Sequence, residues 1–171
     1  MNFEEKCKFL EERIRRLNEI GIALSTEKDT NKLFELILEE AKNITNADGR
    51  TLYMVDDKGN LKFEIMRNDS MKTIMGGTSG VDIPFAPVPK YFGDGEPNLN
   101  NVCAYAAITG ETINIEDAYE EKGYDFSGAK AYDKSSGYRS KSFLTMPLKN
   151  HENEIIGVMQ LINAKDKNTG E

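Results

Sequence analysis

Histidine and cysteine are nearly absent from this chain: His151 stands alone, and Cys7 and Cys103 are the only two thiols. A lone histidine in the polar run Lys149 to Glu154 leaves a Ser/His/Asp or Cys/His triad without a base. Zinc and haem sites need more His or Cys ligands than this. Two isolated cysteines make neither a disulfide framework nor a CxxC pair, so the sequons at Asn43 and Asn68 carry little weight and a cytoplasmic location is expected. Long apolar runs are missing too, and the opening MNFEEKCKFLEER is too charged for a signal peptide, so no membrane span is expected. Positive charge is in deficit, 22 Lys and Arg against 29 Asp and Glu for a net −7, which argues against a nucleic-acid or anionic-membrane surface. A phosphate remains possible where local donors gather. The 171 residues suffice for one domain and an extra helix.

What is present is concentrated between Tyr132 and Lys165. Two apolar runs, Phe143 to Leu148 and Ile155 to Ile162, flank the polar turn Lys149 to Glu154 and read as a hairpin. Apolar residues occupy both phases of each run, so the hairpin is expected in the middle of a sheet covered on both faces. Before it, Asp133, Gly137, Tyr138, Arg139 and Ser142 crowd a polar segment at the mouth of that sheet, where a small-molecule pocket would need them.

The stretch YDKSSGYRSKSFLTMPLKNHENEIIGVMQLINAK, with NADGRTLYMVDDKGNLKFEI and NVCAYAAITGETINIEDAY before it, resembles GAF domains. It is most similar to the cyclic-nucleotide-binding kind found in cyclic nucleotide phosphodiesterases and bacterial adenylyl cyclases, and to GAF domains preceding HD-GYP-type phosphohydrolase domains. The likeness runs from about Leu17 to Lys165. It implies an α+β, PAS-related fold: a central, largely antiparallel sheet with helices on one face and a loop-covered ligand pocket on the other. It also implies a regulatory module with no required cofactor, binding cAMP or cGMP and controlling an output domain outside this chain.

Residues 1–28 read as an amphipathic helix. Phe3, Cys7, Leu10, Ile14, Leu17, Gly21 and Leu24 recur at steps of four and three among charged residues. The stripe is either a signalling helix that pairs with a second copy in a homodimer or an ordinary helix covering the sheet. The GAF domain proper is expected over residues 29–165, and residues 166–171 as a truncated linker. A second helix, capped by Asp29 or Thr30, runs through Thr45 with Leu33, Ile37, Ala41 and Ile44 on one face. Thr51 to Val55 begins the sheet, and a turn over Asp56 to Asn60 leads to the one-sided strand of Leu61, Phe63 and Ile65, expected near the sheet edge. Gly76 to Gly80 lacks the Lys and following helix of a phosphate loop; Val81 to Phe85 reads as a short strand. Pro84, Pro87, Pro89 and Pro97 mark an irregular segment, either a lid or a passive loop.

A short helix is expected from Asn98, Asn100 or Asn101 as cap to Gly110. Its N-terminal amides offer a phosphate site or simply a capped surface helix. The resemblance maps ligand-binding amides onto Val102, Cys103 and Ala104 after Asn101, and sets Asp117 and Tyr119 against the pocket. Arg139 then meets a phosphate or base edge and Asp133 accepts from a base amine, or the two form a surface ion pair. Asn163 matches the Asn of the family's Asn-Lys pair. Ala164 replaces its Lys, with Lys165 one place later, and the chain ends before the Phe and Asp-Glu pair of a closing helix, as in a fragment. Cys103 at a helix start invites a redox reading. Methionine sulfoxide-reducing GAF proteins, however, use several cysteines, and bilin-binding ones follow the Cys with His, where Ala104 stands here. A ligand-free dimerisation module is the other alternative.

Overall fold

The computed structural model describes residues 2–166; of the expected linker, everything past Asp166 lies outside them. The first helix, α1 (Phe3–Thr26), opens on a reciprocal cap in which Asn2 accepts from the Glu5 amide and Glu5 from the Asn2 amide. It ends where Glu27 takes up the Lys28 and Asp29 amides. Asp29 then caps α2 (Thr30–Thr45), accepting from Asn31 and Lys32.

Asn46 closes α2 in the left-handed region, φ 56°, and reverses the chain in one residue. The first strand, β1 (Ala47–Val55), therefore begins four positions ahead of the expected Thr51. Gly49 fits there because a Cβ would stand 3.2 Å from Asn68 Nδ2 and 3.3 Å from Ile162 Cβ. The turn at Asp56 to Asn60 is closed by Asp56 N–H to Asn60 O and returns the chain as β2 (Leu61–Asn68).

The next strand is β3 (Thr73–Gly76), not the expected Val81 to Phe85. Gly76 and Gly77, φ 69° and 56°, turn the chain off the sheet, where a Cβ on Gly76 would meet Glu64 O at 2.1 Å. The prolines that follow cannot donate to a ladder. Only Val88 returns, exchanging both backbone hydrogen bonds with Leu61. Next come α3 (Val102–Thr109), β4 (Ile113–Ile115), an unexpected α4 (Ser127–Ser136), and the hairpin β5 (Phe143–Lys149) and β6 (Ile155–Ala164).

All six strands pair antiparallel in the order β3-β2-β1-β6-β5-β4. Strand β6 is central, as its two apolar phases predict, whereas β5, expected in the middle with it, lies one strand from the edge, as β2 does on the other side. On one face α2 lays Leu38 on Leu52, Ile65, Met159 and Leu161, and α1 packs against α2. On the other face α3, α4 and the loops cover Tyr53, Leu61, Phe143 and Val158. Among the described residues no helix is long and apolar enough to cross a membrane.

Candidate ligand cavity

Alternation along β1 sends Gly49, Thr51 and Tyr53 to the loop-covered face, and the sheet, the proline-rich segment and α4 leave a cavity of about 340 Å³ there. This is at the small end of the ~300–1,000 Å³ range of ligand pockets. Its walls are rings: Tyr53 and Phe63 at 4.5 Å between centroids, Phe63 and Phe85 at 5.5 Å, Phe85 and Tyr132 at 5.9 Å. Phe85, from the segment read as either lid or loop, bridges β2 and α4 at the cavity edge. Thr51, Asn68, Ser140 and Gln160 supply neutral polar groups.

Of the residues expected at the site, Tyr138 lines the cavity. Its hydroxyl donates to Asp48 Oδ2 at 2.7 Å and accepts from Asn163 Nδ2 at 2.9 Å. Burial and the Asp48 carboxylate push this hydroxyl well above the ordinary tyrosine range, so it remains a donor. Burial raises Asp48 in turn, but Ser70, Tyr138 and Lys165 outweigh it and hold the carboxyl below its usual value. Asn163, left-handed at φ 54°, also donates to Arg139 O and accepts from the Lys141 and Ser142 amides. It pins residues 138–142 across the end of β6, and Ser142 is held by its backbone.

Asp133, Tyr119, Arg139 and Asp117 are brought together beside the cavity. Asp133, buried in α4, accepts from the Ser140 amide and hydroxyl and from Tyr119 OH at 2.7 Å. The Arg139 guanidinium lies 4.5 Å from the Tyr119 ring centroid and 3.4 Å from Asp117 Oδ2, with 62% of its side chain exposed. Arg139 pairs with Asp117, not with Asp133 as in the ion pair weighed as the alternative to a ligand contact. None of the four lines the cavity.

Asn101 caps α3 by accepting from the Cys103 and Ala104 amides at 3.0 and 3.1 Å, and Val102, Cys103 and Ala104 are buried. Two of the three amides expected to face a phosphate, those of Cys103 and Ala104, therefore already have an acceptor. Cys103 lies one side chain behind the cavity, taking a hydrogen bond from Gln160 Nε2, which also donates to Thr145. Burial pushes the Cys103 thiol up to about 12, although its hydrogen bond with Tyr53 works the other way. That is opposite to the activated thiolate a redox sensor requires. Among the described residues no three His, Cys, Asp or Glu groups are placed to hold a metal ion.

Sequence reasoning missed Thr51, Tyr53, Phe63, Tyr132, Ser140 and Gln160 as cavity residues. The period-two alternation of Gly49, Thr51 and Tyr53 was the available signal.

The GAF domain family model matches residues 29–170. The chain belongs to the GAF family. Among curated proteins it is 32% identical over 146 residues to the dual 3',5'-cyclic-AMP and -GMP phosphodiesterase 11A of Takifugu rubripes, covering 82% of this chain and 14% of that one. The GAF domain thus spans about a seventh of that relative. Among solved structures it resembles the GAF domain of Acinetobacter phosphoenolpyruvate-protein phosphotransferase, with TM-score 0.59, 11% identity, and coverage of 91% of this chain and 79% of that one. A second neighbour, the A. Aeolicus nlh2 GAF domain in an inactive state, gives TM-score 0.56 at 12% identity, covering 91% of this chain and 81% of that one. At these identities the structural likenesses establish the shared fold.

Proposed function

We propose that this GAF domain is a cytoplasmic sensory module whose ring-lined cavity takes a cyclic nucleotide, cAMP or cGMP, and controls an output domain elsewhere in its protein. The observation that carries the reading is the cavity itself, enclosed by aromatic side chains with a few neutral hydrogen-bonding groups among them. The phosphodiesterase relative supports the choice of ligand. Occupancy would order the Phe85 segment and the pinned 138–142 strap, which both border the cavity.

Output would pass through α1, which buries none of its own residues and leaves Phe3, Leu10, Ile14 and Leu17 exposed along one stripe. We assign that stripe to a homodimer contact. It also favours a second reading, a dimerisation module with no ligand.

Calorimetric titration with cAMP and cGMP, with thermal melting alongside, separates the two. A ligand that binds only the folded state adds about 2.7 kcal/mol at a hundred times its Kd. Heat and a raised melting point with either nucleotide are expected. Their absence at millimolar ligand, with dimerisation intact, would leave the second reading.

A further inference from the structure

We infer that Asp48 is the link by which the cavity acts on the chain leaving β6: a ligand acceptor that takes the Tyr138 proton draws Lys165 further onto Asp48. The C-terminal side of the domain then carries the signal as well as α1. This rests on the cavity being the ligand site, as proposed above, and adds a route by which its occupancy is read.

Asp48, the second residue of β1, is buried, and its carboxylate gathers donors from three distant segments. Its Oδ1 accepts from Ser70 Oγ at 2.6 Å, just past β2, and from Lys165 Nζ at 3.1 Å, just past β6. Its Oδ2 accepts from Tyr138 OH at 2.7 Å, just past α4. Tyr138 lines the cavity, so the network and the ligand space meet at that side chain. Lys165 is held twice more: its amide donates to Asn46 O at 3.0 Å and its carbonyl accepts from Asn46 Nδ2 at 2.7 Å. Asn46 is the left-handed cap of α2, so a shift of Lys165 is felt at the end of that helix.

A tyrosine hydroxyl has one proton to give, and here Asp48 receives it. A ligand acceptor in the cavity takes that proton only by removing it from Asp48. A buried carboxylate left short of donors is costly, and the deficit falls on its other partners. Ser70 has too short a side chain to follow. Lys165 carries a full charge on a flexible four-carbon stem, so it is the partner that moves.

Urea unfolding of Tyr138→Phe, Lys165→Met and the double variant tests the link. Each single change leaves Asp48 two of its donors, whereas the double change leaves Ser70 alone. The folding equilibrium constant of the double variant should therefore fall about tenfold below the product of the two single effects. Phe85→Ala removes a cavity ring that does not bond Asp48, and its effect should simply multiply with that of Lys165→Met. Simple multiplication in both pairs would overturn the inference. Amide hydrogen exchange tests the ligand's part. With whichever of cAMP and cGMP binds at saturation, the Lys165 amide should slow about threefold or more relative to that of Val158. The slowing should be lost in Lys165→Met. An unchanged Lys165 amide with nucleotide bound would overturn the inference and leave the sensing reading standing. Failure of both nucleotides to bind would overturn the sensing reading and the ligand's part in this one, while the unfolding cycle still decides whether Asp48 joins Tyr138 to Lys165.

Discussion

The two faces of β1 are built for different tasks. Arg50, Leu52 and Met54 face α2, where Leu38 closes an apolar core and charged pairs tie the helix to the sheet. Arg50 meets Glu39 and Asp69, Lys42 meets Asp69, and Arg67 meets Glu35. Gly49, Thr51 and Tyr53, one residue out of phase, face a cavity walled by rings and neutral polar groups. The charged pairs among α2, β1 and β2 thus lie on the closed face, and to the cavity β1 turns the uncharged Gly49, Thr51 and Tyr53. A strand can be rigid scaffold and recognition surface at once because its side chains alternate.

The largest test of this contrast is truncation on each side. Leu38→Ala removes a side chain that is 1% exposed and should cost about 2–5 kcal/mol, read by urea unfolding with the slope unchanged. Ile162→Ala on the cavity side should cost about half as much, because that side chain already borders open space. Equal costs would mean that the cavity face is packed as tightly as the helix face, and the contrast would fail.

Acid should act on the α2 face in particular. Burial raises the Glu35 carboxyl, but the Thr78 amide and hydroxyl and then Arg67 outweigh it and hold the group below its usual range. Burial likewise raises Asp69, and Lys42 and Arg50 overcome it. A carboxyl depressed in the folded state stabilises above its unfolded value, near pH 4, and that contribution is lost as pH falls through the depressed folded value. Glu35→Gln should therefore cost about 1–3 kcal/mol at neutral pH. Its stability curve should converge on that of the parent chain below about pH 4. A constant gap down to pH 2 would show that Glu35 acts through shape alone.

How much of this could be read from the residues follows the same division. The α2 face was legible because burial is encoded locally: Asp29 caps a helix, Leu33 to Ala41 repeat at helical spacing, and β6 is apolar on both phases. GAF membership was legible for the same reason, since those patterns extend over the whole domain. The cavity was harder, because its contacts join distant segments. Tyr138 reaches Asp48 across 90 positions and Gln160 reaches Cys103 across 57. Helix α4 was hidden because its buried member is Asp133, held by Tyr119 and Ser140 from outside the helix. Asp117 and Tyr119 were expected against the pocket and Asp133 beside Arg139; instead Arg139 pairs with Asp117 and Tyr119 with Asp133, outside the cavity lining.

The smallest expected effect marks the edge of the closed face. Arg16 joins α1 to α2 through Glu40 at 3.2 Å, with 52% of its side chain exposed, and α1 has no buried residue of its own. A pair this open is worth about 0–1 kcal/mol and weakens with salt. Arg16→Ala should leave the global melting point nearly unchanged while speeding amide hydrogen exchange along α1, since local opening there need not involve the sheet. If exchange in α1 slows as protein concentration rises, in the variant and the parent chain alike, the Phe3-to-Leu17 stripe is covered by a second copy. If instead the variant loses more than about 1 kcal/mol globally, α1 is part of the packed helix face and not a separable arm.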